Sequence, residues 1–358
     1  MAEDLDKLRI HGDTQVGPGE IDFAVNVHGD RPPAWLADRL RHRIDDLAAY
    51  PTAADEARAR RAVAERHGVD SGRVLPLAGS AEGFHLLADH AARRGLRAAV
   101  VHPSFTEPEV ELRRAGVPVT RVILREPYIF DPGLVPGSAD LVVVGNPTNP
   151  TSVLHPRATI AALCRPGRVT VVDEAFCDVV DDEGGSTLAG ADLPGLVVLR
   201  SVTKTWALAG LRAGYAVGDA AVLADLAAHR VHWPLGTLQL EAVAACCSGE
   251  ASVHLDRIRR RLAADRAAMC EALTGAGIEI AVPPAAPFVL VRTPEGYDPH
   301  DFRARLGERG VAVRRCDTFP GLDPRHVRLA VRDAATVSRL ITAWEGARDQ
   351  ASTDSDRG

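Results

Sequence analysis

Lysine is almost missing from this chain. Among its 42 Lys and Arg residues only Lys7 and Lys204 are lysines, so chemistry that needs a free amine has two candidates. Arginine cannot take that part, because its guanidinium stays charged at every working pH. The Ala- and Arg-rich composition itself points to GC-rich coding more than to a functional demand for arginine. Lys7 lies in a polar N-terminal stretch, which leaves Lys204 as the lysine with a setting to interpret.

Other scarcities narrow the field further. The six cysteines include no CxxC pair and sit mostly among apolar neighbours, which reads as reduced core thiols. No spacing of His, Cys and acids suggests a metal site. No apolar run reaches the ~18 residues of a membrane span, and MAEDLDKLRIHGD lacks the charged-then-apolar layout of a signal peptide, so the expectation is a cytoplasmic protein with no membrane partner. A net charge of −6 with arginines scattered among acids argues against a nucleic-acid footprint. Internal repeats and low-complexity tracts are absent.

What is present points to an α/β fold. At 358 residues the chain exceeds the ~250–300 that one core usually holds, so two domains are expected. Seven short Val-rich runs, at 74–78, 98–102, 119–124, 140–145, 169–173, 197–202 and 213–218, alternate with helical-looking segments. Apolar runs without polar alternation suit strands covered on both faces of a mainly parallel sheet. From 235 to 273 the pattern reads as one long helical stretch closed by Gly275 and Gly277, followed by a small α+β unit. The expected division is an N-terminal arm (1–35), a large domain (36–250), a small domain (251–348) and a polar, disordered tail (349–358). The arm contains an extended segment, 21–27, that must pack on the small domain or on a partner subunit.

Six local motifs carry chemistry. Lys204 stands in SVTKTWALAGLRAGY (201–215), just past an apolar strand, with hydroxyls at Ser201 and Thr203 and a cation at Arg212. A surface lysine is the ordinary reading; a lysine in an apolar setting near a cation can instead supply a neutral amine. LAGSAEG (77–83) is a small-residue turn into a helix, whose first N–H groups form an anion site in some proteins and a plain turn in most. Phe105 in HPSF is core filler or a stacking ring. GNPTNPTS (145–152) makes consecutive turns, VVDEAF (171–176) ends a buried strand in adjacent acids, and Tyr50-Pro51 reads as a turn.

Together these motifs resemble the fold-type I pyridoxal 5′-phosphate (PLP) enzymes, specifically the class I/II aminotransferases. The resemblance implies a large domain built on a mainly parallel seven-stranded sheet, a small α+β C-terminal domain, PLP as cofactor, and a homodimer with shared active sites. It implies that Lys204 carries the cofactor covalently, that Ser80, Ala81, Ser201 and Arg212 hold its phosphate, and that Phe105 stacks on its ring. Asn149 would donate to the 3′ oxygen, Asp173 would pair with the protonated ring nitrogen, and Tyr50 would reach the phosphate of the neighbouring subunit. Asn26 and Arg328 match the groups that bind a substrate carboxylate. Arg332, at even spacing from Arg328 on an expected strand and hence on the same face, and Arg314 would join them for a substrate with two anionic groups.

Several positions depart from the common pattern: Phe176 stands where a tyrosine is usual, Ser152 replaces a glycine, and HGDR (28–31) replaces Asn-Pro-Leu-Gly. The arm, the DEAF strand end, RRCDTFPGL and RLAVR resemble most the threonine-phosphate decarboxylases of cobalamin biosynthesis, close relatives of histidinol-phosphate aminotransferases. The first expectation is therefore decarboxylation of L-threonine O-3-phosphate. The alternative is transamination of histidinol phosphate or another amino acid with 2-oxoglutarate. A non-catalytic PLP-fold binding protein is a remote third, since the chain keeps its lysine and shows no helix-turn-helix extension.

Overall fold

The structure, a computed structural model, describes residues 2–10, 12 and 16–355, and the side chains of 5–10, 12 and 16–349. Its strands in chain order are β1 (Ile21–Asp22), β2 (Val74–Leu77), β3 (Ala98–His102), β4 (Val119–Ile123), β5 (Leu141–Gly145), β6 (Val169–Asp173), β7 (Leu196–Ser201), β8 (Gly214–Gly218), β9 (Phe288–Arg292), β10 (Val311–Ala312), β11 (Arg314–Arg315) and β12 (His326–Ala330). The seven expected runs all form strands, each within a residue of its predicted bounds.

These seven strands make one sheet in the order β2-β8-β7-β6-β5-β3-β4. From β4 through β7 neighbours are parallel, and β8 alone runs against β7 and β2. Alternation along the strands feeds two cores: Val172, Leu196 and Val198 face one, while Val171, Val197 and Leu199 face the other. Burying each such side chain contributes about 1.5–3 kcal/mol. The expectation of cover on both faces fails at β4, an edge strand whose Ile123 is 42 % exposed.

The parallel order also decides where a site can form. The chain runs outward from β3 to the edge strand β4 and then crosses back over β3 to β5, so the sheet has a switch point between β3 and β5. In open α/β sheets ligands bind beyond the carboxyl ends of strands near such a point. The residues following β2, β3, β5, β6 and β7, and those preceding the reversed β8, converge on that edge.

A three-stranded antiparallel sheet, β11-β12-β9, forms the C-terminal unit, and the arm joins it through β1, which pairs in parallel with β10. The extended segment at 21–27 thus packs within its own chain. The single helical stretch expected over 235–273 is two helices, Thr237–Cys246 and Gly249–Gly275. Ser248 breaks it: its hydroxyl donates to Ala245 O at 2.8 Å and accepts from Ala251 N at 3.4 Å, capping the second helix where a helical backbone would have continued. At the other end, the last helix runs Ala334–Ser355, so the segment read as a disordered tail continues a helix as far as Ser355.

Candidate active site

A cavity of about 580 Å³ opens at the carboxyl edge of the sheet. Its floor is an anion cradle. Past β2 the chain turns through Gly79, at φ +80°, into the helix Ser80–Arg93, leaving the first N–H groups of that helix facing the cavity without a side-chain cap. The positive φ disfavours a larger residue at Gly79, whose Cβ would also lie 3.0 Å from Arg212 Nη2, while on the neighbouring β8 a Cβ on Gly214 would lie 2.6 Å from Arg200 O and 3.1 Å from Ser80 N. Arg212 itself adopts φ +57°, a costly conformation for a residue with a Cβ, which brings its guanidinium over the helix terminus. Ser201 and Thr203 add two hydroxyls 2.7 Å apart on the same wall. Helix terminus, guanidinium and hydroxyls together suit a dianionic phosphate.

Above the cradle lie Lys204 and Asp173, both on the cavity wall. The Lys204 carbonyl accepts from His28 N at 2.8 Å, which ties the arm to the segment that carries the amine. Asp173 closes β6, accepting from Ala175 N at 3.1 Å. Burial pushes its carboxyl up to about 6, against the opposing pull of Ala175 N–H and Lys204. Among the described residues no cation stands within ion-pair distance of it. A buried carboxyl in that state is completed by a cationic N–H from a ligand.

Two further groups frame this space. Asn149, after β5, accepts at Oδ1 from Arg328 Nη1 at 2.6 Å, so its Nδ2 hydrogens remain as the donors it can offer. Phe105 forms one wall, tilted against Phe84 at 6.2 Å between centroids. Phe176 also lines the cavity and packs edge-on against Phe288 at 5.0 Å. No hydroxyl occupies its place.

The upper wall is cationic. β11 pairs with β12 so that Arg314 lies opposite Arg328, and both are buried on the cavity side. Arg328 donates to Asn149 Oδ1 and Ala24 O and lies 5.4 Å from the Phe288 ring. The Asn26 amide orientation that satisfies both groups sets its oxygen 3.3 Å from Arg328 Nε and 3.1 Å from Nη1. Burial, with Arg314 nearby, pulls the Arg328 pKa down. Among the described residues every hydrogen-bond acceptor of Arg328 is a neutral oxygen, with the Asp22 carboxylate acting on it only through space, so the guanidinium is poised for an anion.

Arg332 corrects the expectation of a shared face. β12 ends at Ala330, so Arg332 lies beyond the strand. Its Nε, Nη1 and Nη2 donate to the carbonyls of Asp22, Val331 and Val25, at 2.9, 3.1 and 3.0 Å. It fastens the arm and borders a narrow recess beside Lys204, while Arg328 faces the main cavity. Tyr50 is also outside the cavity of its own chain: it is 70 % exposed and stacked on Trp233 at 4.3 Å. Among the described residues no His, Cys and acid cluster could hold a metal, and no helix is long and apolar enough to cross a membrane.

Sequence reading missed Phe319, which lines the cavity under the Arg314 guanidinium at 4.8 Å. Only its loop, CDTFPGL, was visible, with nothing to show which way the ring turns. Thr203 was visible as a hydroxyl beside Lys204, yet its pairing with Ser201 Oγ depends on a turn that the sequence does not spell out.

The donor set fits PLP: a phosphate cradle turned by a glycine at positive φ, a lysine on the same cavity wall, and a buried carboxyl with no cation within ion-pair distance among the described residues. Residues 18–343 match the family Aminotransferase class I and II. The chain is 53 % identical over 328 residues to a histidinol-phosphate aminotransferase of Mycobacterium tuberculosis, covering 92 % of this chain and 88 % of that protein. It is 30 % identical over 337 residues to a threonine-phosphate decarboxylase of Salmonella typhimurium, covering 90 % of each. The fold superposes on the crystal structure of the histidinol-phosphate aminotransferase from Clostridium acetobutylicum with a TM-score of 0.84 at 22 % identity, covering 92 % of this chain and 99 % of that one. The chain belongs to the class I and II aminotransferases and is a PLP-dependent enzyme of that family.

Proposed function

We propose that the enzyme transaminates a phosphate-bearing amine, histidinol phosphate first among them, with 2-oxoglutarate as the amino acceptor. The observation that carries this reading is the Arg328 guanidinium, poised for an anion and facing the same cavity as Lys204 and Asp173. A transaminase needs a fixed cation for the carboxylate of its acceptor, and the buried Arg314 opposite offers a second for a phosphate. The likeness at 53 % to a protein named histidinol-phosphate aminotransferase supports the choice of amine over the threonine phosphate that the motifs alone had favoured.

PLP, when bound, supplies an electron sink that lets a bond at the substrate carbon break. The protein's residues do the rest. Lys204 Nζ holds the cofactor and moves the proton at the reacting carbon. Asp173 keeps a proton on the ring nitrogen, Asn149 Nδ2 donates to the ring oxygen, and Phe105 limits tilt. Ser80, Ala81, Ser201 and Arg212 anchor the phosphate, while Asn26 and Arg328 orient the carboxylate of the amino acceptor.

We further infer a homodimer. Tyr50 and Trp233, the latter 58 % exposed, stack into an aromatic patch with Ile44 and Leu47 nearby in the chain and also exposed, the kind of surface that a partner covers. From there Tyr50 would reach the phosphate cradle of the other subunit.

Decarboxylation of L-threonine O-3-phosphate remains the second reading, because its substrate also carries a carboxylate for Arg328 and the decarboxylase relative spans 90 % of the chain. A single assay separates the two. Turnover of histidinol phosphate that requires 2-oxoglutarate and yields glutamate supports transamination. Release of CO₂ from threonine phosphate with no acceptor present overturns it.

A further inference from the structure

Directly behind the cavity wall lies a buried ionic cluster that the reaction chemistry does not use. β6 and β7 are neighbours, and at the end of each two consecutive residues, Asp173 with the following Glu174 and Arg200 with Ser201, face opposite ways. Asp173 and Ser201 line the cavity; Glu174 and Arg200, next to them in sequence, turn to the far side and are each 1 % exposed. Arg200 Nε lies 3.0 Å from Glu174 Oε2. Thr187 Oγ1 donates to that same carboxylate oxygen at 2.6 Å and accepts from Arg200 Nη2 at 2.8 Å. Leu188 N donates to Glu174 Oε1 at 2.7 Å, and Glu174 N donates across to Leu199 O at 2.9 Å.

The pair is the inner end of a larger network. Arg200 Nη1 donates to Asp178 at 2.6 Å and Glu183 at 3.0 Å. Arg66, from the helix Ala53–His67, donates to the same two carboxylates at 2.9 and 3.0 Å. Arg259, from the helix Gly249–Gly275, donates to Glu183 at 2.6 Å. Three arginines thus meet three buried or half-buried carboxylates, Glu174, Asp178 and Glu183, and Arg259 pairs further with the exposed Asp256.

Such a cluster is a poor way to gain stability. Desolvating buried ions costs several kcal/mol each, and apolar side chains of the same volume often hold a fold as well. What charge pairs provide beyond apolar packing is fixed direction and distance. Here the directed contacts attach to β6 and β7 at the two residues adjacent to Asp173 and Ser201. Under the proposed function those two residues hold opposite ends of the cofactor, its ring nitrogen and its phosphate.

We propose that Glu174 and Arg200 are positioning residues that set the offset between Asp173 and Ser201, and through it the seating of PLP on Lys204. The inference rests on the proposed use of the cavity as a PLP site. Neither side chain touches the cofactor; both act through the strand ends that they lock together.

The test uses the full-length holoenzyme and three readouts: the dissociation constant for PLP, the pH midpoint of the visible absorption of the Lys204-bound cofactor, and the Tm. Glu174→Gln is expected to weaken PLP binding at least about tenfold and to move the pH midpoint by about 0.5 unit or more. The double variant Glu174→Met/Arg200→Met, which replaces the ion pair by apolar volume, is expected to recover the wild-type Tm while keeping the displaced midpoint and weak binding. Arg266→Met, which breaks the outlying contact to Asp181 at 2.7 Å, is expected to change Tm alone. Wild-type binding and midpoint in the double variant would overturn the proposal, whether or not Glu174→Gln folds. A wild-type protein that takes up no PLP on Lys204 would instead overturn the reading of the cavity, a distinct result.

Discussion

At the cradle end of the cavity, Gly79, Phe105, Asn149, Asp173 and Ser201 each sit at the carboxyl end of a strand or a few residues past it. At the arginine end, Arg328 reaches back 304 positions to Ala24 O and Arg332 reaches back 310 to Asp22 O. The first end is assembled by strand order, with each group supplied by a short motif that carries its own turn. The second is assembled by packing the arm onto the C-terminal sheet, so no motif contains both partners of the contacts that join Arg328 and Arg332 to the arm.

The difference can be probed from both sides. The largest effect belongs to the cradle end: Lys204→Ala is expected to lower turnover by roughly 10³-fold or more, since it removes both the anchoring amine and the proton carrier. Steady-state kinetics of the purified variant check it, and residual activity within tenfold of wild type would contradict the assignment.

At the arginine end the two neighbours should separate. Arg328→Met removes a buried cation facing the cavity and is expected to cut kcat/KM for the carboxylate-bearing acceptor by about 10²- to 10³-fold. Arg332→Met removes hydrogen bonds to arm carbonyls, so about 1–3 kcal/mol of stability should be lost, with a fall in kcat/KM under about tenfold. Equal kinetic losses in the two variants would mean that both arginines face substrate after all, as their sequence spacing had implied.

That spacing shows where sequence reading reached and where it stopped. The seven strands were legible because apolar runs are local signals, while the cradle turn and the choice of Asp173 over Glu174 came from the resemblance of short motifs to the family. Arg332 was misplaced because β12 stops at Ala330, a boundary that depends on pairing with β9. The break at Ser248 was invisible for a similar reason: in an Ala-rich stretch one serine does not declare whether it caps or continues. Phe319 and the Glu174–Arg200 pair depend on side-chain direction in three dimensions.

A smaller effect concerns pH. Because burial raises the Asp173 carboxyl to about 6, its contribution favours the protonated native state. That contribution is fully present below about pH 4 and is lost as pH rises through 6, a change of about 3 kcal/mol. Cofactor-free wild type should therefore lose stability between about pH 4 and 6 relative to Asp173→Asn. Denaturant unfolding across that range checks the sign, and parallel curves for the two proteins would contradict it.

The smallest effect should come from the surface tyrosine. Tyr50→Phe removes one hydroxyl that would donate to the partner's cradle, so PLP affinity should fall by about 1 kcal/mol or less while sedimentation still shows a dimer. Unchanged affinity would place Tyr50 in the subunit contact alone.

The scarcity of lysine makes the most direct test a simple one. Borohydride treatment of the PLP-loaded protein fixes the cofactor on the amine that carries it, and peptide mapping then locates it. The geometry of the cavity predicts one label per chain, on the peptide containing Lys204, with Lys7 unmodified. A label on Lys7, or no label on Lys204 while PLP is bound, would contradict the account.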